Sequence, residues 1–328
     1  MKYSIKSPTR VDFAGGTLDC WPLYLLVPGC QTINLSLSIS TFVELEPRTD
    51  SQIRIEVVDL GFIRNFSHLD ELLADTSPEL QLLQAHLAHF RPTLGFVLRT
   101  RSESPVGGGL GGSSSLCISL IKAFSSWLDL SLTAAETVQL AANLEAQVLR
   151  KPTGTQDYFP ALKPGLGLIE YGPWGFRHRL LPFPKDLFAE CMTLVYTGQP
   201  HHSGLNNWQV IKAAVEGEAR TLRCLEDLRT VAQEMGEACV GGHWGRLPQL
   251  FDREFEGRIA LSEAFVSSEI LRLKELALKQ GADAVKICGA GGGGCVMIWS
   301  SSLKKASLWE ACQQEGFQPL AASPVTSP

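Results

Sequence analysis

Apolar and polar residues alternate along much of the first hundred positions, as they do in half-buried β-strands. The alternating stretches are rich in Ile, Leu, Val, Thr and Phe, and they predict strands over residues 3–10, 31–48, 53–58 and 95–101. Leucine spacing over residues 69–90 predicts a helix, with a start or a break at Pro78. The first third of the chain therefore combines strands with at least one helix.

The remaining two thirds continue this mixture. Alanine, leucine and glutamate over residues 133–150 predict a helix that is capped by Ser131 or Thr133. Further strands are predicted over residues 166–171, 194–196 and 295–299, and further helices over about 205–240 and 244–280. The predicted strands and helices follow one another without a repeat or a low-complexity linker.

The composition limits the classes of function. The chain has 328 residues, of which 45% are hydrophobic, enough for a large core and for two domains. Its net charge of −5 comes from mixed signs, so we expect no nucleic-acid or membrane partner. Nine cysteines without a Cys-x-x-Cys pair, and an N-terminus without an apolar signal core, predict a soluble cytoplasmic protein. The seven histidines lack zinc-type spacing, so a metal ion would have oxygen ligands.

Residues 104–115 are the strongest candidate for a binding site. Five glycines fall within six positions, three serines follow, and an apolar run predicts a helix behind them. Glycine lets backbone N–H groups converge, and a helix N-terminus adds unpaired donors and the positive end of the helix dipole. Such a loop can cradle a phosphate group. The predicted nucleotide-binding residues are Pro105, Gly107, Gly108, Gly109, Leu110, Gly111, Gly112, Ser113 and Ser114.

Other interpretations of this loop stay open on its sequence alone. Gly107, Gly109 and Gly112 also fit the dinucleotide-binding fingerprint, and Asp129 lies near the distance where that fingerprint places a ribose-binding acid. A glycine-rich surface turn without a ligand is a third interpretation. The choice between them needs the context of other motifs.

Two carboxylates follow the loop. Glu145 has apolar residues three and four positions away on either side, and a carboxylate inside an apolar patch needs a partner such as a metal ion. A glutamate at the edge of the patch, with its carboxylate in water, is the other interpretation. Asp157 lies in a polar loop after the helix, where a lone aspartate is by default a turn residue.

A second glycine cluster occupies residues 289–294, between Lys286 and the predicted strand at 295–299. Consecutive glycines let backbone pack closely against backbone or against a ligand. The chain has no Walker-type Gly-Lys-Ser/Thr loop, which argues against an ordinary P-loop fold.

Three motifs in this order resemble the GHMP small-molecule kinases, the family of galactokinase, homoserine kinase, mevalonate kinase and phosphomevalonate kinase. The motifs are an N-terminal turn from Arg10 to Asp19, the central glycine and serine loop, and the late glycine cluster. The central loop is similar to the family's Pro-x-Gly-x-Gly-Leu-Gly-Ser-Ser, with Gly112 where the first serine usually stands. The resemblance covers nearly the whole chain and favours ATP over a dinucleotide.

The resemblance implies a fold of two α+β lobes, with ATP and an acceptor alcohol in the cleft between them. An N-terminal lobe similar to ribosomal protein S5 would take residues 1–185. A ferredoxin-like C-terminal lobe would take residues 186–318, and residues 319–328 are predicted to be a frayed tail.

The resemblance also implies roles for individual residues. Ser113 and Glu145 match the positions that hold Mg²⁺ on the β- and γ-phosphates. Asp157 matches the aspartate beside the acceptor hydroxyl, and Arg10 matches the basic residue near the transferred phosphate. This set supplies the oriented hydroxyl and the positive charge that a phosphoryl transition state needs. The predicted substrate-binding residues are Gly16, Thr17, Asp19, Gly291 and Gly292.

The N-terminal turn resembles the sugar-kinase branch of the family. Residues 15–19 read Gly-Gly-Thr-Leu-Asp, close to the Gly-Gly-Gly-Thr-Asp of heptose-phosphate kinases and fucokinase-like enzymes. This implies phosphorylation of a sugar or sugar phosphate, at its anomeric hydroxyl, by a monomer or homodimer. His201 and His202 stand where phospho-sugar kinases tend to place an arginine, so a neutral sugar is open too. A mevalonate-type kinase and a catalytically silent regulator that binds ATP and sugar are the alternatives.

Overall fold

The computed structural model describes residues 1–200 and 203–326 and divides them among strands and helices, as the prediction of an α+β fold requires. The strands are β1 Tyr3–Ala14, β2 Gln31–Pro47, β3 Ile53–Val57, β4 Phe62–Phe66, β5 Phe96–Ser102, β6 Leu166–Gly172, β7 Gly175–Leu181, β8 Met192–Tyr196, β9 Ala284–Ile287, β10 Cys295–Trp299 and β11 Gln318–Leu320. The helices are α1 Leu23–Leu26, α2 Leu69–Ala74, α3 Gln81–Phe90, α4 Gly112–Trp127, α5 Ala134–Leu149, α6 Tyr158–Leu162, α7 Lys185–Cys191, α8 Ser203–Val215, α9 Ala219–Gly241, α10 Leu247–Leu261, α11 Ser268–Lys279 and α12 Ser302–Gln314. No helix in the described ranges is both long enough and apolar enough to cross a membrane.

The strands form two sheets. The first contains β1 to β7 in the order β4-β3-β5-β2-β6-β7, with β1 paired to β2, and only the β3–β5 pair is parallel. The long strand β2 organises this sheet because it pairs with β1, β5 and β6 at once. The second sheet is antiparallel, in the order β11-β8-β10-β9.

One hydrophobic core lies between the sheets. It joins side chains of β1 and β2 to side chains of α9, α10, β8 and β10. Phe251 of α10 contacts both sheets, with its ring centroid 5.2 Å from that of Phe13 in β1 and 5.8 Å from that of Trp299 in β10. The predicted lobe boundary at residue 185 falls in the stretch between the two sheets, and the division into lobes stays a prediction because the core is shared.

Several predicted elements differ from the structure in length. β1 runs on to Ala14, with register shifts after Pro8 and after Asp12, so it carries Arg10 and Asp12 into the interior. The helix predicted over 69–90 is broken near Pro78, and α5 begins with a capping box at Thr133. The structure has four helices, α8 to α11, where the sequence predicts two long helices after residue 205. Gly217 with a φ of 78° separates the first two, because a glycine in this conformation ends a helix.

The predicted frayed tail is wrong for the part that the structure describes. β11 pairs with β8, and beyond it the Ser38 N–H donates to the Ser323 carbonyl at 2.8 Å. The Val325 N–H donates to the Ser36 carbonyl at 2.9 Å. The reason lies in β2, where residues 36–38 fall between the part paired with β6 and the part paired with β5. The tail supplies hydrogen bonds to this gap.

Candidate active site

A cavity of about 480 Å³ collects most of the predicted site residues. Its walls come from β1, the glycine loop, the start of α4, the end of α5 and the loop before α6, with one residue each from α8 and α10. The predicted residues that line it are Arg10, Gly16, Thr17, Asp19, Pro105, Gly107, Gly108, Gly109, Gly111, Gly112, Ser113, Ser114, Glu145 and Asp157.

The glycine loop has a conformation that other residues would resist. Gly107, Gly109 and Gly111 have φ values of 63°, 71° and 69°, all in the left-handed region. Gly111 is also the N-cap of α4, so the first turn of that helix opens onto the cavity. The loop and the helix N-terminus therefore line the same cavity, as the parts of a phosphate cradle must.

Neighbouring segments hold the loop in position. The Arg10 N–H donates to the Leu110 carbonyl at 2.9 Å, and the Cys295 N–H donates to the Gly108 carbonyl at 2.8 Å. Leu110, predicted as a nucleotide-binding residue, instead places its side chain in the core, where 1% of it is exposed. An apolar side chain gains more from the core than from a phosphate site, so Leu110 anchors the loop.

The late glycine cluster also departs from its predicted role. Gly291 and Gly292 pack against the backbone of Phe265 and are not among the residues that line the cavity. The Gly292 N–H donates to the Phe265 carbonyl at 2.9 Å, and a Cβ at Gly291 would lie 2.2 Å from that oxygen. Gly289, with Ala290, lines the cavity instead, and a Cβ at Gly289 would lie 2.9 Å from the Gly109 carbonyl oxygen. The cluster is glycine-rich because backbone packs against backbone there.

Arg10 and Asp157 form a two-point ion pair at the cavity wall. Nε and Nη2 of Arg10 donate to Oδ1 and Oδ2 of Asp157 at 2.8 and 2.7 Å. The arginine side chain is 3% exposed and the aspartate side chain 24%, so the carboxylate faces the cavity while the guanidinium supports it from inside. A planar pair of this kind fixes the orientation of the carboxylate. The two residues predicted to be catalytic are therefore in contact.

Asp19 lies close by in a tight, buried place. Its Oδ2 accepts the Gln156 N–H at 3.0 Å, and a Cβ at Gly154 would lie 2.0 Å from the same atom. Burial, together with the nearby charge of Asp157, raises the pKa of Asp19 to about 7. Asp19 therefore changes its charge near neutral pH.

The turn before Asp19 stores backbone strain. Thr17 has a φ of 76°, which a β-branched residue adopts only when its surroundings hold it. The Thr17 hydroxyl donates to Oδ1 of Asn207 in α8 at 2.9 Å, and Nη1 of Arg258 in α10 lies 3.5 Å from Oγ1 of Thr17. Both partners come from the second half of the chain, so that half shapes the predicted substrate turn.

Glu145 is a buried carboxylate with hydroxyl partners. Oε2 accepts hydrogen bonds from Ser114 at 2.9 Å and from Tyr158 at 2.6 Å. Burial raises the pKa of Glu145, and hydrogen bonds from Ser113, Tyr158 and Ser114 oppose the rise. The interpretation of Glu145 as an edge residue with its carboxylate in water does not hold, since the residue is 6% exposed and lines the cavity.

A second set of charges, which the sequence did not indicate, lies beneath the cavity. Oδ2 of Asp12 lies 3.0 Å from Nζ of Lys286 and 3.5 Å from Nη2 of Arg258. Glu254 binds Nε of Arg258 at 2.7 Å and lies 3.3 Å from the lysine Nζ. Burial alone would raise the pKa of Asp12, but Lys286, Arg10 and Arg258 together hold this pKa well below its ordinary range. These ion pairs join β1 to α10 and β9.

Sequence reasoning missed four further residues of this region for different reasons. Gln156 and Tyr158 flank Asp157, and their closeness in sequence was a usable signal. Asn207 and Arg258 lie in amphipathic helices, where a single polar residue on the inner face gives no local signal. His201 and His202, discussed for substrate recognition, lie outside the described residues.

Comparison with family models accounts for this arrangement. Residues 80–165 match the model of the GHMP kinases N terminal domain, and residues 221–317 match the GHMP kinases C terminal model. The two matches together cover more than half of the chain. The first includes the glycine loop, Glu145 and Asp157, and the second includes Arg258 and the late glycine cluster.

Curated relatives and a solved structure agree with the family models. The D-glycero-alpha-D-manno-heptose 7-phosphate kinase of Campylobacter jejuni is 27% identical over 94% of this chain and 93% of its own length. The L-fucokinase/L-fucose-1-P guanylyltransferase of Bacteroides fragilis is 26% identical over 88% of this chain, which spans 33% of that larger protein. Mevalonate kinases, including that of Pyrococcus furiosus, also match.

A D-glycero-D-manno-heptose 1-phosphate kinase from Bacteroides thetaiotaomicron superposes with a TM-score of 0.79. It is 21% identical and covers 100% of this chain and 97% of its own. This similarity extends through both sheets, so the predicted GHMP fold is confirmed over the whole length. Together, the two family models and the shared fold show that the chain belongs to the GHMP kinase family.

Proposed function

We propose that this protein transfers the γ-phosphoryl group of ATP to a hydroxyl of a sugar or sugar phosphate, at the anomeric carbon. The observation that carries the proposal is the Arg10–Asp157 pair. It lies in the same cavity as the glycine loop and the buried carboxylate of Asp19. A phosphate cradle, an oriented carboxylate and a polar acceptor turn are the parts that phosphoryl transfer to an alcohol needs.

In this proposal, Asp157 accepts a hydrogen bond from the attacking hydroxyl. It takes the hydroxyl proton as the new P–O bond forms and as the bond from the γ-phosphorus to the bridging oxygen breaks, which releases ADP. Arg10 holds both oxygens of Asp157, which keeps the carboxylate aimed at the acceptor. The guanidinium also places positive charge beside the phosphoryl group, where negative charge is spread over three oxygens in the transition state. Both residues are fixed before substrate binds, so little reorganisation accompanies the reaction.

The glycine loop is proposed to bind the ATP phosphates. Its backbone N–H groups and the N-terminus of α4 supply donors that need no side chain. Four leucines from different segments also line the cavity and suit the apolar face of a purine base. They are Leu60, Leu82, Leu116 and Leu149.

Ser113 and Glu145 are the proposed holders of Mg²⁺. Glu145 is a carboxylate kept in an apolar patch by hydroxyl groups, and carboxylate and hydroxyl oxygens suit this ion. Within the described ranges no three His, Cys, Asp or Glu side chains form a metal cage, so phosphate oxygens would complete the coordination. The ion would neutralise charge on the β- and γ-phosphates when it is bound.

The acceptor is proposed to be a polyol, and not mevalonate, for two reasons. Asp19 in the substrate turn offers a hydrogen-bond acceptor to hydroxyl groups. A mevalonate carboxylate would instead need an unpaired cation, and the cavity cations Arg10 and Arg258 are each held by carboxylates of the protein. The heptose 7-phosphate kinase and fucokinase relatives support a sugar as the acceptor. Because mevalonate kinases are also among the relatives, mevalonate is included in the test.

The test of this function is ADP release from Mg·ATP with a panel of neutral sugars, sugar phosphates and mevalonate. One sugar turned over well above the rest supports the proposal, and the position of the phosphate in the product tests the anomeric assignment. Turnover of mevalonate alone would replace the sugar with an isoprenoid precursor. Tight ATP binding without any turnover would favour the alternative of a catalytically silent regulator that binds ATP and sugar.

Replacing Glu145 with glutamine should weaken the use of Mg·ATP while the fold stays intact. Glutamine has nearly the same shape and can still accept the hydrogen bonds of Ser114 and Tyr158, but it lacks the charge that holds a cation. We expect kcat/KM for Mg·ATP to fall about 100-fold, with a shift of the Mg²⁺ dependence to higher concentration. Initial rates over a Mg²⁺ titration measure this, and wild-type turnover by the variant would remove the metal role.

The rate with sugar should depend on pH through Asp19. Its pKa of about 7 means that it is largely protonated below that pH and a carboxylate above it. Since the carboxylate accepts hydrogen bonds from sugar hydroxyls with both oxygens, kcat/KM for the sugar should rise with pH and level off above about 7. Asp19→Asn should have a lower and flatter profile, and Asp19→Ala should raise the sugar KM far more than the ATP KM. If kcat/KM for the sugar still rises through pH 7 in Asp19→Asn, the pH dependence belongs to a group other than Asp19.

The remaining predictions concern the whole protein. We propose a cytoplasmic monomer or homodimer with lobes at residues 1–185 and 186–318. All nine cysteines are free thiols, and seven of them are buried, which agrees with a reducing compartment. The lobe division agrees with the separation of the two sheets between Leu181 and Met192.

A further inference from the structure

Gln156 is a polar side chain of the cavity to which the proposed function assigns no role. It is 5% exposed and lines the cavity next to Asp19 and Asp157. Among residues 1–200 and 203–326, its Oε1 atom has no hydrogen-bond partner. A buried amide oxygen is normally paired, because it loses its hydrogen bonds to water when the chain folds. The wall of the cavity therefore contains an amide that the described part of the protein leaves unsatisfied.

The amide nitrogen of Gln156, Nε2, lies close to Gly16. A Cβ at Gly16 would lie 3.0 Å from Nε2 of Gln156, 2.2 Å from Nη2 of Arg258 and 3.1 Å from Oδ2 of Asp12. Gly16 lines the cavity too, so polar atoms converge where a side chain is missing. The last torsion of a glutamine side chain is broad and two-fold. A half-turn about this torsion exchanges the two ends, so the side chain can present either Oε1 or Nε2 to a ligand.

The main chain of Gln156 has a separate task. Its N–H donates to Oδ2 of Asp19 at 3.0 Å and helps to hold that carboxylate. This contact does not involve the side chain, so a substitution at residue 156 tests the amide without removing the support of Asp19.

We propose that the Gln156 amide binds one hydroxyl of the acceptor and that it determines which sugars are accepted. This inference rests on the proposed function, because it needs an acceptor with several hydroxyl groups. A hydroxyl both donates and accepts, so it can satisfy either end of the amide, while Asp19 accepts from a neighbouring hydroxyl. A site built to pair with a hydroxyl strongly rejects the analogue that lacks it, because the buried polar group is then left unpaired.

The test is a comparison of Gln156→Met with the wild type on the sugar identified by the panel and on its single-deoxy analogues. Methionine keeps the length of the side chain and removes both ends of the amide. We expect the sugar KM to rise at least about tenfold, with the ATP KM within about twofold of wild type. The wild type should lose kcat/KM on one deoxy analogue in particular. Gln156→Met should turn over that analogue and the parent sugar nearly equally, because the two changes remove the same hydrogen bond.

The matched control is Gln139→Met, on the exposed face of α5, which should behave like the wild type. An unchanged sugar KM in Gln156→Met, or an equal loss on every analogue with a raised ATP KM, would overturn the proposal in favour of a structural role. If Gln156→Met does not fold, Gln156→Glu replaces it, since this variant keeps length and polarity but loses the N–H donors at Nε2. A wild type inactive on every sugar would instead contradict the proposed function itself.

Discussion

Asp157→Asn should lower kcat about 10³-fold and leave the affinities for ATP and for the sugar within about threefold of wild type. Asparagine fills the same space, and its oxygen can still accept one hydrogen bond from Arg10. It cannot take a proton from the acceptor hydroxyl, and it lacks the charge that orients that hydroxyl. The loss therefore falls on a step after binding, which initial rates and equilibrium binding of ATP and of the sugar measure separately.

The control for this variant is Asp227→Asn, which makes the same chemical change on the exposed surface of α9. It should retain wild-type rates. If Asp157→Asn instead abolished ATP binding, the aspartate would belong to the nucleotide site, and the assignment of the acceptor hydroxyl would be wrong. A kcat near that of wild type would show that Asp157 is a turn residue only.

Asp12→Ala should destabilise the folded protein by about 3–5 kcal/mol. Asp12 is fully buried and lies against Lys286, Arg258 and Arg10, so its removal leaves a surplus of positive charge without access to water. The pKa of Asp12 lies well below its unfolded value of about 3.9, so its stabilising contribution is present at neutral pH and is lost as the pH falls below that value. The measurement is urea unfolding of wild type and variant at pH 7.

Glu275→Ala is the control for Asp12→Ala, because Glu275 pairs with Lys279 on the surface of α11. Water solvates both charges there, so we expect little change in stability. A similar small effect for Asp12→Ala would mean that the buried charges relax or admit water. Asp12→Asn gives a second measure, since it removes the charge and keeps the size of the side chain.

The sequence carries most of the information about the glycine loop that we propose binds phosphate. Gly107, Gly109 and Gly111 occupy left-handed conformations that only glycine adopts freely. The glycines that are visible in the sequence are therefore the residues that the loop conformation requires. The capping box at Thr133 and the break near Pro78 are local in the same sense. Such features depend on residues within one turn or loop, and they can be predicted without knowing the rest of the fold.

Other predictions failed where the cause lies far away in the chain. The tail was expected to fray because chain termini are often poorly ordered, yet it pairs with a gap in the pairing of β2, almost 290 residues earlier. Gly291 and Gly292 looked like ligand-binding glycines, but the backbone of Phe265 occupies the space that a side chain would need. A glycine in the sequence can indicate that another group packs closely against the backbone, but it does not show whether that group is a ligand or another part of the chain.

The sequence by itself determined the family resemblance, the mixed α+β class, the glycine loop and the proposed catalytic pair of Arg10 and Asp157, since each depends on short motifs. Only the tertiary structure brought Asp12 together with Glu254, Arg258 and Lys286, and only it placed Gln156 with an unpaired amide in the cavity. The physical reason is that burial and charge pairing arise between distant residues, as where Asp12 meets Arg258 and Lys286 across more than 200 positions. Their energies depend on which side chains meet after folding, and no local pattern along the chain records that.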